Sequence, residues 1–389
     1  MHMDALAPEL IHQIFLSLPS IPDVVHLAQT SHRYYSALHS TQRLPILVQA
    51  AETQFGPLDD AIQLVTHNSS QAAHLPHAAQ VPVSLSLIQQ LLAVGRVANR
   101  WEDIYPFKKW RGAASCSRRL LSAHERYVLR RALYRLWLYT RAFHNRAHPR
   151  ETRGLGAVVR ERAALLQNWS SAELAEIDDV RRVLRDVVAN SICPSNGTVA
   201  RKFRKRCPDA DPHQHLFFNF QIHVTYPPPP PSSSSSSSSS SQSAFYTSQR
   251  ANKAIYNKYA PSRTHDPGSE GWGDEIPHYY VVEDMLKLDP SQILWLKDHA
   301  TCKAQVEAFV GAVAAGTVAT MTTTTTTTTY EDDPYGETGW GGGDWFENNG
   351  ETLSETLGLV LESRGFEADA DAEEGFGDVG GVGGGGVVG

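Results

Sequence analysis

The chain has 389 residues, 41% of them apolar and 20% charged, with a formal net charge of −7. Four cysteines over that length, Cys116, Cys193, Cys207 and Cys302, form no regular framework, which excludes a disulfide-stapled secreted scaffold and points to a reducing compartment. The N-terminus has no basic stretch followed by an apolar core, and the most apolar late segment, VEAFVGAVAAGTVATM, is short and carries Glu307, so we expect neither a secretory signal nor a membrane span but a soluble protein of the cytoplasm or nucleus.

The first predicted elements fall in LAPELIHQIFLSLPSIPDVVHLAQTSHRYYSAL, Leu6 to Leu38. Pro8 suits a first helical turn, where its missing N–H costs nothing, and Glu9 favours the positive end of that helix. Leu10, Ile14 and Leu18 share one face, with Ile11 and Phe15 beside them. Pro19 and Pro22 are expected to stop the helix. Asp23 is the expected N-cap of VVHLAQ, and Thr30 or Ser31 that of HRYYSAL. Three helices of two to four turns result, with hardly any interior of their own. A unit below about 40 residues without disulfides or metal seldom holds itself together, so its surplus apolar surface must meet another surface.

Further along, LSLIQQLLAVGRVANRW places Leu87, Leu91, Val94, Ala98 and Trp101 on one helical face. HERYVLRRALYRLWLYTRAFH does the same with Leu129, Leu133, Leu136 or Trp137, Thr140 and Phe143. Ser170 followed by Glu173 is a capping-box pair opening a helix lined by Leu174, Ile177, Val180, Val183 or Leu184 and Val187. Asp289 and Pro290 open another helix, SQILWLKDH. No alternating strands with hairpin turns appear, and no repeat of 20–50 residues. Two low-complexity tracts interrupt the chain: a Pro/Ser run after Tyr226 and a Thr run after Thr320 that passes into acidic, Gly-rich sequence. The fold class expected is mostly α. Its expected divisions are residues 1–45, a three-helix unit; 46–222, an irregular helical body; 223–243, a disordered linker; 244–319, a second helical patch packing on the body; 320–345, a second linker; 346–366, a short helical segment; and 367–389, a disordered acidic tail.

The opening stretch resembles the F-box. The family's pattern stands here as Leu6, Pro8, Glu9, Leu10, Ile14 and Phe15, Leu18, Asp23 and Val24, Leu27, then Thr30, Ser31, Arg33, Tyr34, Tyr35 and Leu38. The family's usual proline falls at Ala7, with proline one place later, and its usual late tryptophan is a tyrosine. The likeness covers about the first 45 residues. A looser one, in the helical segments near Leu87, Leu133 and Leu294, is to the bodies of filamentous-fungal F-box proteins. The resemblance implies an adaptor for protein degradation: the F-box docks on the Skp adaptor of a Skp–cullin–F-box ubiquitin ligase, and the rest of the chain recruits a protein substrate. It implies no catalytic residue and no cofactor. The expected contacts with the Skp adaptor are Leu6, Pro8, Leu10, Ile14, Leu18, Val24 and Leu27, while Ile11, Phe15, Tyr35 and Leu38 hold the three helices together.

Other motifs carry less. The chain has no phosphate loop, His-Glu-x-x-His or Gly-x-Ser-x-Gly, and GLGAVV at Gly154 lacks the third glycine of a dinucleotide fingerprint. Cys193, Cys207, His213 and His215 are spaced wrongly for zinc, and no metal is expected. The run ARKFRKRCP reads as a nuclear-import signal, a phosphate-binding patch or a solvated loop. Arg118, Arg119, Arg126, Arg130, Arg131, Arg135 and Arg141 are expected to form a solvated face around a Leu133–Trp137 core stripe. Within that set, Arg118, Arg126, Arg130 and Arg141 offer a docking face to an acidic partner. From Arg100 to Arg206 there are 24 Lys/Arg against 10 Asp/Glu, and from Glu331 onward 1 against 15. That asymmetry supports an alternative reading, a basic helical protein binding nucleic acid or chromatin with an acidic regulatory tail.

Overall fold

The computed structural model describes residues 6–40, 42–110, 119–145, 147–206, 271–272, 277–315 and 351–365. The Pro/Ser tract, the Thr-rich tract and the acidic tail beyond residue 365 lie outside the described residues, as do Arg118, Cys116, Cys207, His213 and His215. Among the described residues there are fourteen α-helices and no β-sheet, so the protein is mostly α.

Helices α1 (Pro8–Ser17), α2 (Ile21–Gln29) and α3 (His32–Leu38) pack on one another and on α4 (Arg43–Phe55). The chain then runs through α5 (Leu58–Thr66) into two long helices, α6 (Leu85–Lys109) and α7 (Ala123–Phe143). The periodic residues read from the sequence are the ones buried: Leu87, Leu91, Val94, Ala98 and Trp101 in α6, and Leu129, Leu133, Leu136, Trp137, Thr140 and Phe143 in α7. Next come α8 (Gly156–Gln167) and α9 (Ser171–Val187), the latter extended by a single π-helical turn, Val188–Ile192. The Ser170–Glu173 capping box is present at the start of α9, and Ser122 with Glu125 forms another at α7. Helix α10 (Asn196–Arg206) follows, then α11 (His278–Met285), α12 (Pro290–His299), α13 (Lys303–Ala315) and α14 (Leu353–Ser363). Asp289 caps α12 and Pro290 fills its first position, as the sequence indicates.

Helix α7 is central: it packs on α5, α6 and α9. Helix α4 joins the two ends of the described architecture, with α1 and α2 on one side and α6 on the other. The expected boundary between residues 45 and 46 therefore falls inside a helix that belongs to both parts. The Ile21 amide reinforces the join by donating to Gln54 Oε1 at 3.1 Å. The described portion of the second patch packs on the body through α12, which meets α6 and α9, and the Trp101 indole donates to the Pro290 carbonyl at 3.1 Å. Helix α14 is not a separate segment. It packs on α8 and α9 and buries Leu353, Leu357 and Val360 in the same core as α7.

Candidate protein-docking surface

Within α1, Ile11 and Phe15 point inward and are buried. Leu10, 53% exposed, and half-buried Ile14 are four residues apart on another face. Pro8 occupies the first turn and is exposed, while Leu6 and Leu18 are half-buried and packed partly against the core. The Arg33 guanidinium donates to the Leu6 carbonyl, tying α3 to the entry of α1.

Helix α2 starts earlier than the sequence reading places it. Ser20, not Asp23, is its N-cap: the Ser20 hydroxyl accepts from the Asp23 amide at 3.2 Å and donates to the Asp23 carboxylate. Pro22 consequently lies in the first turn and opens this helix rather than closing the previous one. The inward face becomes Ile21, Val24 and Ala28. Val24 is fully buried (0% exposed), which removes it from the expected docking set, and Val25, 39% exposed, takes the outward place. Leu27 is half-buried.

Ser31 caps α3, accepting from the Tyr34 amide at 3.3 Å. That phase turns Tyr34 and Leu38 inward, and Tyr34 meets the Phe15 ring edge-on at 6.4 Å. Tyr35 is 51% exposed and stacks on His39 at 3.9 Å, so the expected core role belongs to Tyr34 instead. Two adjacent tyrosines make the sequence pattern ambiguous by one residue, and the Ser31 cap decides it. The three helices thus anchor through Ile11, Phe15, Val24, Tyr34 and Leu38 while Leu10, Val25 and Tyr35 remain in solvent.

The arginine-rich helix is engaged within the fold. Arg130 pairs with Glu102 on α6. Arg131 meets Glu176 at 2.7 Å, and Arg135 meets Asp60 on α5 and Glu173 on α9, the latter at 2.8 Å. Arg141 lies at the surface, but its guanidinium donates to the Leu64 carbonyl at 3.3 Å and covers the Trp137 ring at 5.2 Å. Arg130 and Arg141 are therefore not free to form an acidic-partner face, and only Arg126 of the described set is simply exposed. The solvated-face expectation holds for Arg119, Arg126 and Arg141, which are exposed, and fails for half-buried Arg130, Arg131 and Arg135, whose carboxylates come from α6, α9 and α5. The basic run after Val199 is the second half of α10 rather than a loop, because Ser195 accepts from the Thr198 amide at 3.2 Å and starts a helix.

Sequence reasoning missed a buried polar cluster where α14 meets the body. Glu351 pairs with Arg181 of α9 at 2.8 Å, and Glu283 of α11 reaches the same guanidinium at 3.1 Å. Burial outweighs Arg181 and pushes the Glu351 carboxyl above its ordinary value. The Tyr139 hydroxyl meets the Thr352 and Thr356 hydroxyls at 3.0 and 3.1 Å. Two cavities of about 10 Å³, each room for one water, flank His144. Partners more than 100 residues apart leave no local signal, which is why no motif indicated this cluster.

Among the described residues, no group of three or more His, Cys, Asp or Glu side chains is placed to hold a metal ion. Of the four zinc candidates only Cys193 is described; it is buried, and burial raises its thiol well above the ordinary range. No described helix is long and apolar enough to cross a membrane. Comparison with known proteins gives no match, whether to a protein-family model, a curated protein or a solved structure.

Proposed function

We propose that this protein is an F-box-type adaptor that docks through α1–α3 on the Skp adaptor of a Skp–cullin–F-box ubiquitin ligase and presents a protein substrate on its helical body. The observation that carries the reading is the division of labour in α1–α3. One set of apolar side chains anchors the helices on α4, while Leu10, Val25 and Tyr35, all large apolar or aromatic residues, stay exposed. Surplus apolar surface on a small, well-anchored unit suits a partner interface. The docking set is Leu10, Ile14, Val25 and Tyr35, with Leu6, Pro8, Leu18 and Leu27 at its margin. The chain supplies proximity rather than chemistry: it holds a target near the ligase. Part of the basic surplus behind the nucleic-acid reading is engaged within the fold, since Arg130, Arg131 and Arg135 of α7 are paired with carboxylates.

Co-purification with a Skp-family protein tests this. The full chain should retain the adaptor with little dependence on salt, as an apolar interface does, whereas phosphate-binding contacts weaken steeply as salt rises. Leu10→Ala with Ile14→Ala should abolish capture while leaving helical content unchanged. Full-strength capture by the double variant, or no capture by the unmodified chain, sinks the proposal.

A further inference from the structure

One imidazole meets both the amide and the hydroxyl at the entry to α14. The Thr352 amide reaches His144 Nε2 at 3.3 Å, and the Thr352 hydroxyl reaches the same nitrogen at 3.2 Å. An amide can only donate, so Nε2 must accept and carries no proton; the neutral ring then has its proton on Nδ1. Nδ1 is cut off from solvent and has no hydrogen-bond partner among the described residues. A proton added at Nε2 would set N–H against N–H at the first turn of α14, where the helix dipole already places positive charge.

The groups around the ring offer the imidazolium no relief. Lys287, from the turn between α11 and α12, Arg153 and Arg162, from before and within α8, and His148, just beyond α7, all disfavour the charged ring. Arg181 of α9 lines the adjoining cavity. The carboxylates nearby already have cations: Glu351 and Glu283 share Arg181, Asp284 lies 3.7 Å from Lys287, and Glu355 lies 3.2 Å from Arg153. Glu161 acts on His148. Tyr139 packs edge-on at 5.6 Å and is neutral.

We propose that His144 is a proton-operated latch, in which the neutral ring fastens α14 to the body and the protonated ring loosens it. This goes beyond the adaptor reading and stands independently of it. Burial, followed by the surrounding cations, holds the docked ring's affinity for protons well below the ordinary value of 6.5. Undocking returns water to the ring and raises that affinity toward the ordinary value. Docking is therefore fully supported well above pH 6.5 and weakens below it with a slope that approaches about tenfold per pH unit, until the docked ring itself titrates. Glu351 acts oppositely, because burial raises its carboxyl above its ordinary value in the docked state.

Hydrogen exchange on the full chain reads the latch directly, since it reports rare local opening. After correction for intrinsic exchange, the amides of Leu357–Leu361 in α14 should open up to about tenfold more often at about pH 5.5 than at about pH 7.5. Those of Leu133–Tyr139 in α7 should not change. In His144→Gln the amide oxygen replaces the Nε2 acceptor without titrating, so α14 protection should become independent of pH over this range. The proposal is overturned if α14 in the unmodified chain shows no such slope, if α7 opens equally, or if His144→Gln retains the slope. Should His144→Gln not fold, the His144 ring in the unmodified chain, followed by NMR, decides the matter: a ring that titrates near 6.5 while α14 stays protected retires the latch.

Discussion

Glu173 shows how much a single side chain does in this fold. It closes the capping box at the start of α9, and it receives Arg135 from α7 at 2.8 Å. Burial alone raises its carboxyl, but the Arg135 guanidinium and the Ser170 amide and hydroxyl outweigh that and hold it down to about 2, against an ordinary 4.5. A carboxyl lowered on folding contributes stability that is complete above about pH 4.5 and drains away as pH falls toward 2. Discounted for the part of the side chain that water reaches, the contribution is about 2 kcal/mol. We expect Glu173→Gln to be less stable than the unmodified chain by roughly that amount at neutral pH, with the gap closing at about pH 2–3. Chemical denaturation at the two pH values measures it, and a gap of the same size at both would show that Glu173 contributes through packing rather than charge. The Ser170–Glu173 cap is legible in the sequence because its members are three residues apart. Arg135 is legible only as one of many arginines, since its partners Asp60 and Glu173 sit on other helices.

At the scale of elements, the close crossing of α4 and α6 ties the α1–α3 unit to the body. Gly95 makes it possible: a Cβ there would lie 2.4 Å from the Cδ1 and Cγ atoms of Phe55. Phe55 is buried, and its carbonyl accepts from the Tyr134 hydroxyl at 2.9 Å, so neither its ring nor its backbone has room to yield. Alanine is the better helix former by about 1 kcal/mol. Overpacking at a site this tight outweighs that, and Gly95→Ala should cost about 1–3 kcal/mol net. Phe55→Ala alone should cost about 3–5 kcal/mol. The double variant should cost less than the two added together, because the new methyl group enters the space the ring has left. Additive losses in thermal or denaturant unfolding would mean that the two helices part rather than clash. The element boundaries show the same mixture of the readable and the hidden. Helices α6, α7, α9 and α12 announce themselves by apolar period and caps. The start of α2 is hidden because Asp23 looks like a cap, whereas Ser20 reaches the required amide first. That shift carries Val24 inward, and the similar ambiguity at Tyr34 and Tyr35 inverts one core assignment. The candidate surface is thus legible as a stretch, but its phase depends on which of two good capping residues wins.

For the whole molecule, the decisive feature is that the last described helix completes a core built mostly from residues before position 193. Composition gives no hint of this, because α14 is followed by Gly-rich acidic sequence and preceded by a Thr-rich tract, and a short apolar run in such company reads as a satellite. The buried positions say otherwise. Leu353, Leu357 and Val360 are buried against α8 and α9, and each contributes roughly 1.5–3 kcal/mol by apolar burial. Their loss would not be the only cost. Without Glu351, Arg181 would keep a buried positive charge with its closest carboxylate gone, a change typically worth about 3–5 kcal/mol. The Tyr139 hydroxyl would also lose both threonine partners inside the core. Together these terms rival the entire margin of about 5–15 kcal/mol by which domains are stable. A chain ending at Ala315 should therefore fail to give a cooperative unfolding transition, while one ending at Gly365 should unfold at the same temperature as the full protein. Calorimetry on the two truncations separates the cases. A cooperative transition in the shorter chain, within a few degrees of that of the full protein, would show that α14 rests on a body already complete without it. Failure of the shorter chain alone would place the last described helix among the elements that define the fold.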